Sequence, residues 1–353
     1  MSRDYICQVK KLLLPFSWIY GMITSIRNLL FDVGLLKEAE FSIPLIGIGN
    51  LRVGGTGKTP LTIYLAKLLS AEYKVAVLSR GYGRSTKGYV KATKESGARE
   101  LGDEPALMKR KVPAIQVVVN ESRVQGVDRM LAESTPPDCI LLDDVMQHRW
   151  IKPGLMLMLT AFHDMFYNDF VLPVGMLREP RTGKSRADVI VVSKCPVELT
   201  KAQRAEVTTR LQLNARQKAV FSYESYGQAC SSDGKALQDN ARVALITGLG
   251  DASQIEQYVS SKYDLIEHFE FKDHRAYTAE DWQRFATLVK EHDNTVLLTT
   301  EKDYERMVPF LKNEKFAALP IYTLTHEAMF FDQDKDLFDQ TIINYVKSYS
   351  GNS

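Results

Sequence analysis

The 353-residue chain reads as an α/β protein in two unequal parts, each a parallel sheet covered by helices, with an amphipathic helix in front. Three observations predict this. Short apolar runs alternate with helical patterns almost throughout, the signature of buried strands joined by helical crossovers. Past residue 215 the character changes, through an extended segment Ala219–Tyr226 and a polar, turn-rich Ser231–Asn240, before a second alternating series begins. The length itself exceeds what one core usually serves.

The N-terminal segment carries Leu12, Phe16, Ile19, Ile23, Ile26, Leu30 and Val33 at alternating steps of four and three, one apolar stripe on a helix. Ser17, Gly21, Thr24 and Asn28 follow the same steps and form a narrow polar face. The uncharged run Leu12–Ile26 is shorter than the ~20 residues of a spanning helix, and no small-x-small cleavage site follows it. A helix lying in a membrane interface, a short spanning helix and a helix docked on the core all fit. The first is favoured, because Lys10, Lys11 and Arg27 would meet anionic headgroups while Trp18 and Phe31 enter the acyl layer. Residues 1–37 carry a net charge of +3 of the chain's +2, so the remainder is nearly neutral and gives no reason to expect a nucleic-acid partner.

In the first part, strands are predicted at Ile43–Ile48, Lys74–Leu78, Ile115–Val119, Cys139–Leu142, Leu155–Leu159 and Val189–Val192, with helices at Pro60–Leu69, Asp103–Lys109 and Glu121–Glu133. Between the first strand and its helix stands Gly54-Gly55-Thr56-Gly57-Lys58-Thr59, a run expected by chance in roughly one chain in tens of thousands. A strand–glycine loop–helix aims backbone N–H groups and a helix dipole at one point, which suits a polyphosphate. Lys58 can reach β/γ-phosphates and Thr59 can offer its hydroxyl to Mg²⁺. The pattern G-x-x-x-x-G-K-[ST] asks for glycine where this chain has Arg52, so the loop is a variant P-loop.

Cys139–Leu142 ends in Asp143-Asp144, where P-loop proteins keep a carboxylate that meets Mg²⁺ directly or through water. Strand alternation forbids both acids from facing one ion. Gln147-His148-Arg149 follows at the carboxyl end of that strand, where ligands of open α/β sheets bind. Arg178-Glu179-Pro180 follows a glycine-containing loop, and Arg178 could neutralise phosphate charge. Gly102-Asp103-Glu104-Pro105 looks like a helix start with Asp103 as N-cap.

The second series runs strand Val243–Thr247, helix Ser253–Lys262, strand Leu265–Phe271, helix Ala279–Glu291 and strand Val296–Thr299. Phe271-Lys272-Asp273-His274-Arg275-Ala276-Tyr277 gathers an acid, an imidazole and a guanidinium in one loop, and Thr299-Thr300-Glu301-Lys302-Asp303 lies at a strand end. Four scattered cysteines form no metal or disulfide pattern, which fits a reducing cytoplasm. The expected division is a helix at 1–37, a P-loop domain at 38–215, a hinge at 216–241 and a smaller α/β domain at 242–353.

The ordered series IGNLRVGGTGKTP, LSRGYGR, GDEP, LLDDVMQHR, LPVGMLREP, FKDHRAY and TTEKD resembles the tetraacyldisaccharide 4′-kinase family of lipid A biosynthesis, from about residue 10 to about residue 310. The resemblance implies a membrane-associated N-terminal helix, a P-loop domain and a second domain across a hinge. It also implies transfer of the ATP γ-phosphate to the 4′-hydroxyl of an acylated glucosamine disaccharide 1-phosphate. By the same resemblance Asp103 takes the proton of the sugar hydroxyl, with His274 its partner from across the hinge. ATP would be held by Arg52, Val53, Gly54, Gly55, Thr56, Gly57, Lys58, Thr59 and Arg178. Mg²⁺ would sit among Thr59, Asp143, Asp144 and Glu179, and Gln147, His148 and Arg149 would meet the lipid headgroup. Val145 and Met146 stand where the family usually has glycine and an aromatic residue. Two other readings fit parts of the pattern. A membrane-bound P-loop ATPase of the partition or division type usually has lysine where this chain has Val53, and lacks the second domain. A kinase of a soluble metabolite would pack the N-terminal helix on its core.

Overall fold

The structure is a computed structural model and describes residues 3–249, 252–272, 275, 277–311 and 314–350. It divides into two compact units: Met1–Arg80 with Ala114–Glu224 and Ala328–Ser353, and Gly81–Pro113 with Ser225–Glu327.

In the first unit, strands Lys218–Ser231 (its leading part), Val189–Ser193, Leu155–Ala161, Leu45–Asn50, Cys139–Leu142, Val75–Ser79 and Gln116–Val119 lie side by side in that order. Their registers are parallel, with Leu45 opposite Ile140, Ile46 opposite Leu155, Val75 opposite Cys139 and Leu157 opposite Val189. Every residue of Leu45–Asn50, Val75–Ser79, Cys139–Leu142, Leu155–Ala161 and Val189–Ser193 is buried. This is why these strands read as unbroken apolar runs. The strand order turns at Leu45–Asn50, whose neighbours Cys139–Leu142 and Leu155–Ala161 lie on opposite sides. Loops leaving the carboxyl ends of strands beside such a point open onto a crevice.

The N-terminal helix, Arg3–Asp32, packs on this unit with its polar face inward. Ser17 donates to the Val171 carbonyl at 2.6 Å, Tyr20 to the Arg178 carbonyl at 2.9 Å, and Asn28 to Glu179 Oε2 at 2.7 Å. Gly21 approaches Val171 on the same face. The apolar stripe faces largely outward, with Phe16 62% exposed and Ile23 58%, and Trp18 beside it is also exposed. Phe31, expected in the acyl layer, is instead buried under the Arg149 guanidinium. No helix among the described residues is long and apolar enough to cross a membrane.

The C-terminal helix Asp332–Ser350 also belongs to the first unit, where the sequence expects residues 242–353 to form the second domain. The reason is packing. Phe338, Ile342 and Val346 are buried, Tyr64 of the P-loop helix donates to Asp339 at 2.7 Å, and the Tyr345 hydroxyl joins both backbone groups of Leu45.

In the second unit, strands Asp264–Glu270, Arg242–Thr247, Val296–Thr300 and Ile321–Phe330 follow one another in a parallel arrangement. Alternate residues of Arg242–Thr247 serve opposite faces. Val243 and Leu245 pack with Ile255, Val259 and Leu324, while Ala244 and Ile246 pack with Trp282, Phe285 and Met307. Segment 81–113 belongs here and brings the helix Asp103–Lys111, which the sequence assigns to the P-loop domain. The expected linker at 216–241 is largely the fourteen-residue strand Lys218–Ser231.

Candidate active site

Strand Leu45–Asn50 delivers the chain into the glycine loop, and helix Lys58–Leu69 leaves it. Two glycines are required by backbone angle, Gly54 at φ 115° and Gly57 at φ 82°. Gly57 is the N-cap residue, supplies no side chain to the helix end, and no acid occupies the first turn. The first N–H groups of the helix therefore keep their capacity for an anion. The loop is tied down by Asn50 Nδ2, which donates to Thr56 Oγ1 at 2.7 Å, and by Ser193 Oγ, which donates to the Thr56 carbonyl at 2.8 Å. A Cβ built on Gly54 or Gly55 meets nothing within 4 Å, so the loop's outer surface is open.

The strand Cys139–Leu142 places two acids with different fates. Asp143 is buried and accepts a bond from Ser79 Oγ at 2.9 Å, while its carbonyl accepts from Arg123 Nη2 at 3.0 Å. Asp144 turns into the left-handed region at φ 45°, and its carboxylate meets two cations. Lys58 Nζ lies 3.6 Å from Oδ1, and Arg178 donates to Oδ1 at 2.8 Å and to Oδ2 at 3.1 Å. Burial alone would raise its pKa, but Lys58 and Arg178 outweigh it and hold the carboxyl well below its ordinary range. Arg123 is buried nearby, and burial pushes its guanidinium down to about 10 against the pull of Asp143 and Asp144.

Other expected ligands are differently engaged. The Arg52 guanidinium is held by Asp164 and by Asp169, the latter at 3.0 Å. The Val53 N–H donates to the Met176 carbonyl at 2.8 Å, so it is not offered to a phosphate. Glu179 is buried among Arg186 at 2.6 Å, Gln147 at 2.8 Å and Asn28 at 2.7 Å. It forms a hub that joins the N-terminal helix to the loops. Arg149, expected at the lipid headgroup, is buried against Asp32 at 2.8 Å and Glu38 at 2.8 Å, with its cation over the Phe31 ring. Gln147 Nε2 donates to the Asn50 carbonyl and to Glu179, both at 2.8 Å. His148 is half-buried, and burial, reinforced by Arg123, Arg80 and Arg27, pushes its imidazole down to about 4.

In the second unit, Asp103 is the first residue of its helix and Gly102, at φ 92°, holds the cap position, which corrects the capping role read from the sequence. Its Oδ2 accepts from Arg306 Nε at 3.1 Å, and its Oδ1 from the Glu104 N–H at 3.1 Å. His274 lies outside the described residues, as does Asp273.

Among the described residues no group of three or more His, Cys, Asp or Glu side chains converges on a metal-sized point. Mg²⁺ does not need one, because it binds through one or two carboxylates together with substrate phosphates. Thr59 at the helix start and one of Asp143 and Asp144, just past strand Cys139–Leu142, offer hard oxygen donors of the kind it takes. Sequence reasoning did not single out Ser79, Arg123 or Arg306. Ser79 sits in the quoted LSRGYGR run, but Arg123 and Arg306 occupy ordinary helical positions and carry no local signal.

Residues 9–347 match the protein family described as tetraacyldisaccharide-1-P 4′-kinase. A tetraacyldisaccharide 4′-kinase of Bacteroides thetaiotaomicron is 40% identical, over 99% of this chain and 97% of its own length. One from Flavobacterium johnsoniae is 38% identical, over 96% of this chain and 98% of its own. A crystal structure of LpxK from Aquifex aeolicus in complex with ATP superposes with a TM-score of 0.73 at 27% identity, covering 96% of this chain and 99% of that one.

Proposed function

The chain belongs to the tetraacyldisaccharide-1-P 4′-kinase family, and from that premise we propose how its residues divide the reaction. It is an ATP-dependent kinase that transfers the γ-phosphate to the 4′-hydroxyl of a tetraacyldisaccharide 1-phosphate, giving lipid IV-A. The observation that carries the site reading is the meeting of Lys58 and Arg178 on the one carboxylate of Asp144, beside the open glycine loop. Two cations that reach one point can share the charge of the β- and γ-phosphates there.

The loop N–H groups of Gly54, Gly55, Gly57, Lys58 and Thr59 would cradle the phosphates, the Thr56 N–H being bonded to the Gly54 carbonyl, and Lys58 would neutralise the oxygens. Thr59 with Asp143 or Asp144 would hold Mg²⁺, which when bound neutralises the charge of the β- and γ-oxygens. Arg178 would follow the charge as it develops on the transferred group. Asp103 would accept the proton of the sugar hydroxyl late in a loose transition state, with His274 as its partner.

The acceptor is a lipid, and the outward apolar stripe of the N-terminal helix supports binding at a membrane surface. With its polar face bonded to the body, the helix would lie in the interface of the inner membrane on the cytoplasmic side, where ATP is available. The partition-type switch has less support, since its usual lysine is here Val53, whose N–H is already bonded.

The direct test is incubation of the purified protein with ATP, Mg²⁺ and the disaccharide 1-phosphate lipid. The expected product carries one added phosphate on the 4′-oxygen. Absence of that product from folded protein, with nucleotide bound, would overturn the reading.

A further inference from the structure

The strand-end motif Thr299–Asp303 has no part in the reading above, yet it grips the helix that carries Asp103. Helix Glu301–Leu311 and helix Asp103–Lys111 are joined along their lengths by four ion pairs. Arg306 meets Asp103 at 3.1 Å, Lys302 meets Glu104 at 3.3 Å, Arg110 meets Glu305 at 3.0 Å and Lys111 meets Glu301 at 2.8 Å. Arg110 is 40% exposed and Glu104 30%, and exposed pairs contribute little, while Lys111 and Glu301 are 13% exposed each and lie away from Asp103. The Arg306–Asp103 pair differs, because its two side chains are 9% and 7% exposed.

Arg306 is itself fixed from behind. Its Nη2 lies 3.2 Å from Asp303 Oδ1 and donates to the Gly248 carbonyl at 3.3 Å. Asp303 is fully buried and is held in turn by Thr300 Oγ1 at 2.8 Å and by the Gly248 N–H at 3.1 Å. Thr300 closes the circuit by accepting the Asp303 N–H at 3.0 Å, and Thr299 donates to the Ile246 carbonyl at 2.9 Å. A rigid chain of bonds thus runs from two strand ends through Asp303 and Arg306 to one named oxygen of Asp103. A planar guanidinium with several bonds fixes direction, which an ammonium does not.

We propose that Arg306, held by Asp303 of the Thr299–Asp303 motif, is the positioning residue that orients the Asp103 carboxylate toward the acceptor hydroxyl. This rests on the reading of Asp103 as the proton acceptor. On this proposal Arg306 acts through Asp103, with its guanidinium held between Asp103, Asp303 and the Gly248 carbonyl. Its loss therefore lowers kcat and leaves KM for ATP unchanged.

The test is a double-mutant cycle on the full chain, with steady-state kinetics on ATP, Mg²⁺ and the lipid acceptor. Arg306→Ala should lose kcat by on the order of 10²-fold, as misplacement of a reacting group does, with Arg306→Lys intermediate. In the Asp103→Ala background the same change should cost less than about 2-fold, because groups that act as a unit are not additive. Melting temperatures identify any variant that fails to fold, and Arg306→Lys, which keeps charge and length, then carries the cycle in place of the alanine. Wild-type kcat in Arg306→Ala, or losses that multiply in the double variant, would overturn the inference while leaving Asp103 as base. Wild-type kcat in Asp103→Ala would remove both.

Discussion

Lys58 and Arg178 reach the same carboxylate from different loops, and this decides what each can do. The sequence made Lys58 legible because a P-loop lysine follows a fixed spacing, whereas Arg178 rested on its place after a glycine loop. Substituting Lys58 or Thr59 by alanine should abolish phosphoryl transfer with little change in thermal unfolding. Lys58 lies 3.6 Å from Asp144, and Arg178 stays bonded to that carboxylate when Lys58 is removed, so no buried charge is left unpaired. Kinetics with ATP as donor check this, and near-normal turnover in either variant would take the loop out of the mechanism. His148 makes a different forecast. Its imidazole titrates near 4 in the folded protein, lowered by burial and by Arg123, Arg80 and Arg27, against about 6.5 in an unfolded chain. Between those values the unfolded chain binds a proton that the folded one does not. Stability is therefore full above pH 6.5 and is lost as pH falls toward 4. His148→Gln should flatten that loss, so its denaturation midpoint at pH 5 should fall less from the pH 7 value than the wild type's. Equal falls would show that the imidazole is not the group responsible. Arg149 and Glu179 sit in motifs that point to ligands, and no motif states that they also meet partners more than a hundred positions away, Asp32 and Asn28.

Among the elements, the N-terminal helix was the most legible, because the steps of four and three specify both faces at once. What the pattern could not give is which face meets the protein. The narrow polar face does so, since Ser17, Tyr20 and Asn28 find fixed partners there, and the wide apolar face is left outward. A helix docked on the core would have the opposite arrangement. Phe16, Ile19 and Ile23 make none of the anchoring bonds and are exposed, so changing all three to serine should leave the fold intact. Each contributes roughly 1.5–3 kcal/mol when its side chain leaves water, so the triple variant should move from membrane to soluble fractions and lose binding to vesicles containing anionic lipid. Unchanged vesicle binding, or unfolding of the variant, would return the stripe to the core. The strands Cys139–Leu142 and Val189–Ser193 were legible for a plainer reason, being buried on both faces and rich in β-branched or aliphatic residues. Helix Lys201–Leu211 was not singled out, although Thr200 and Gln203 form a capping box that a closer reading of its start contains.

At the scale of the whole molecule, the sequence divides the chain at one hinge, whereas the structure assigns chain segments to the two units in alternation. Nothing in a helical repeat states which sheet the helix will cover, so Asp103–Lys111 and Asp332–Ser350 were placed by their order along the chain. Their partners are what decide. Phe338 shows this for the C-terminal helix: it is fully buried, stacked on Phe330 at 4.5 Å between ring centroids and 6.2 Å from Tyr64 of the P-loop helix. Truncating a buried phenylalanine to alanine costs about 3–5 kcal/mol through lost burial and the cavity left behind. Phe338→Ala should therefore weaken the first unit in particular. In hydrogen exchange, amides of Leu45–Asn50 and Lys58–Leu69 should lose protection, while those of Arg242–Thr247 and Val296–Thr300 keep theirs. ATP affinity should fall with it, because the loop proposed to meet phosphate is the connection between the two weakened elements. Loss of protection confined to Arg242–Thr247 and its neighbours would instead assign the C-terminal helix to the second unit, as chain order alone implies.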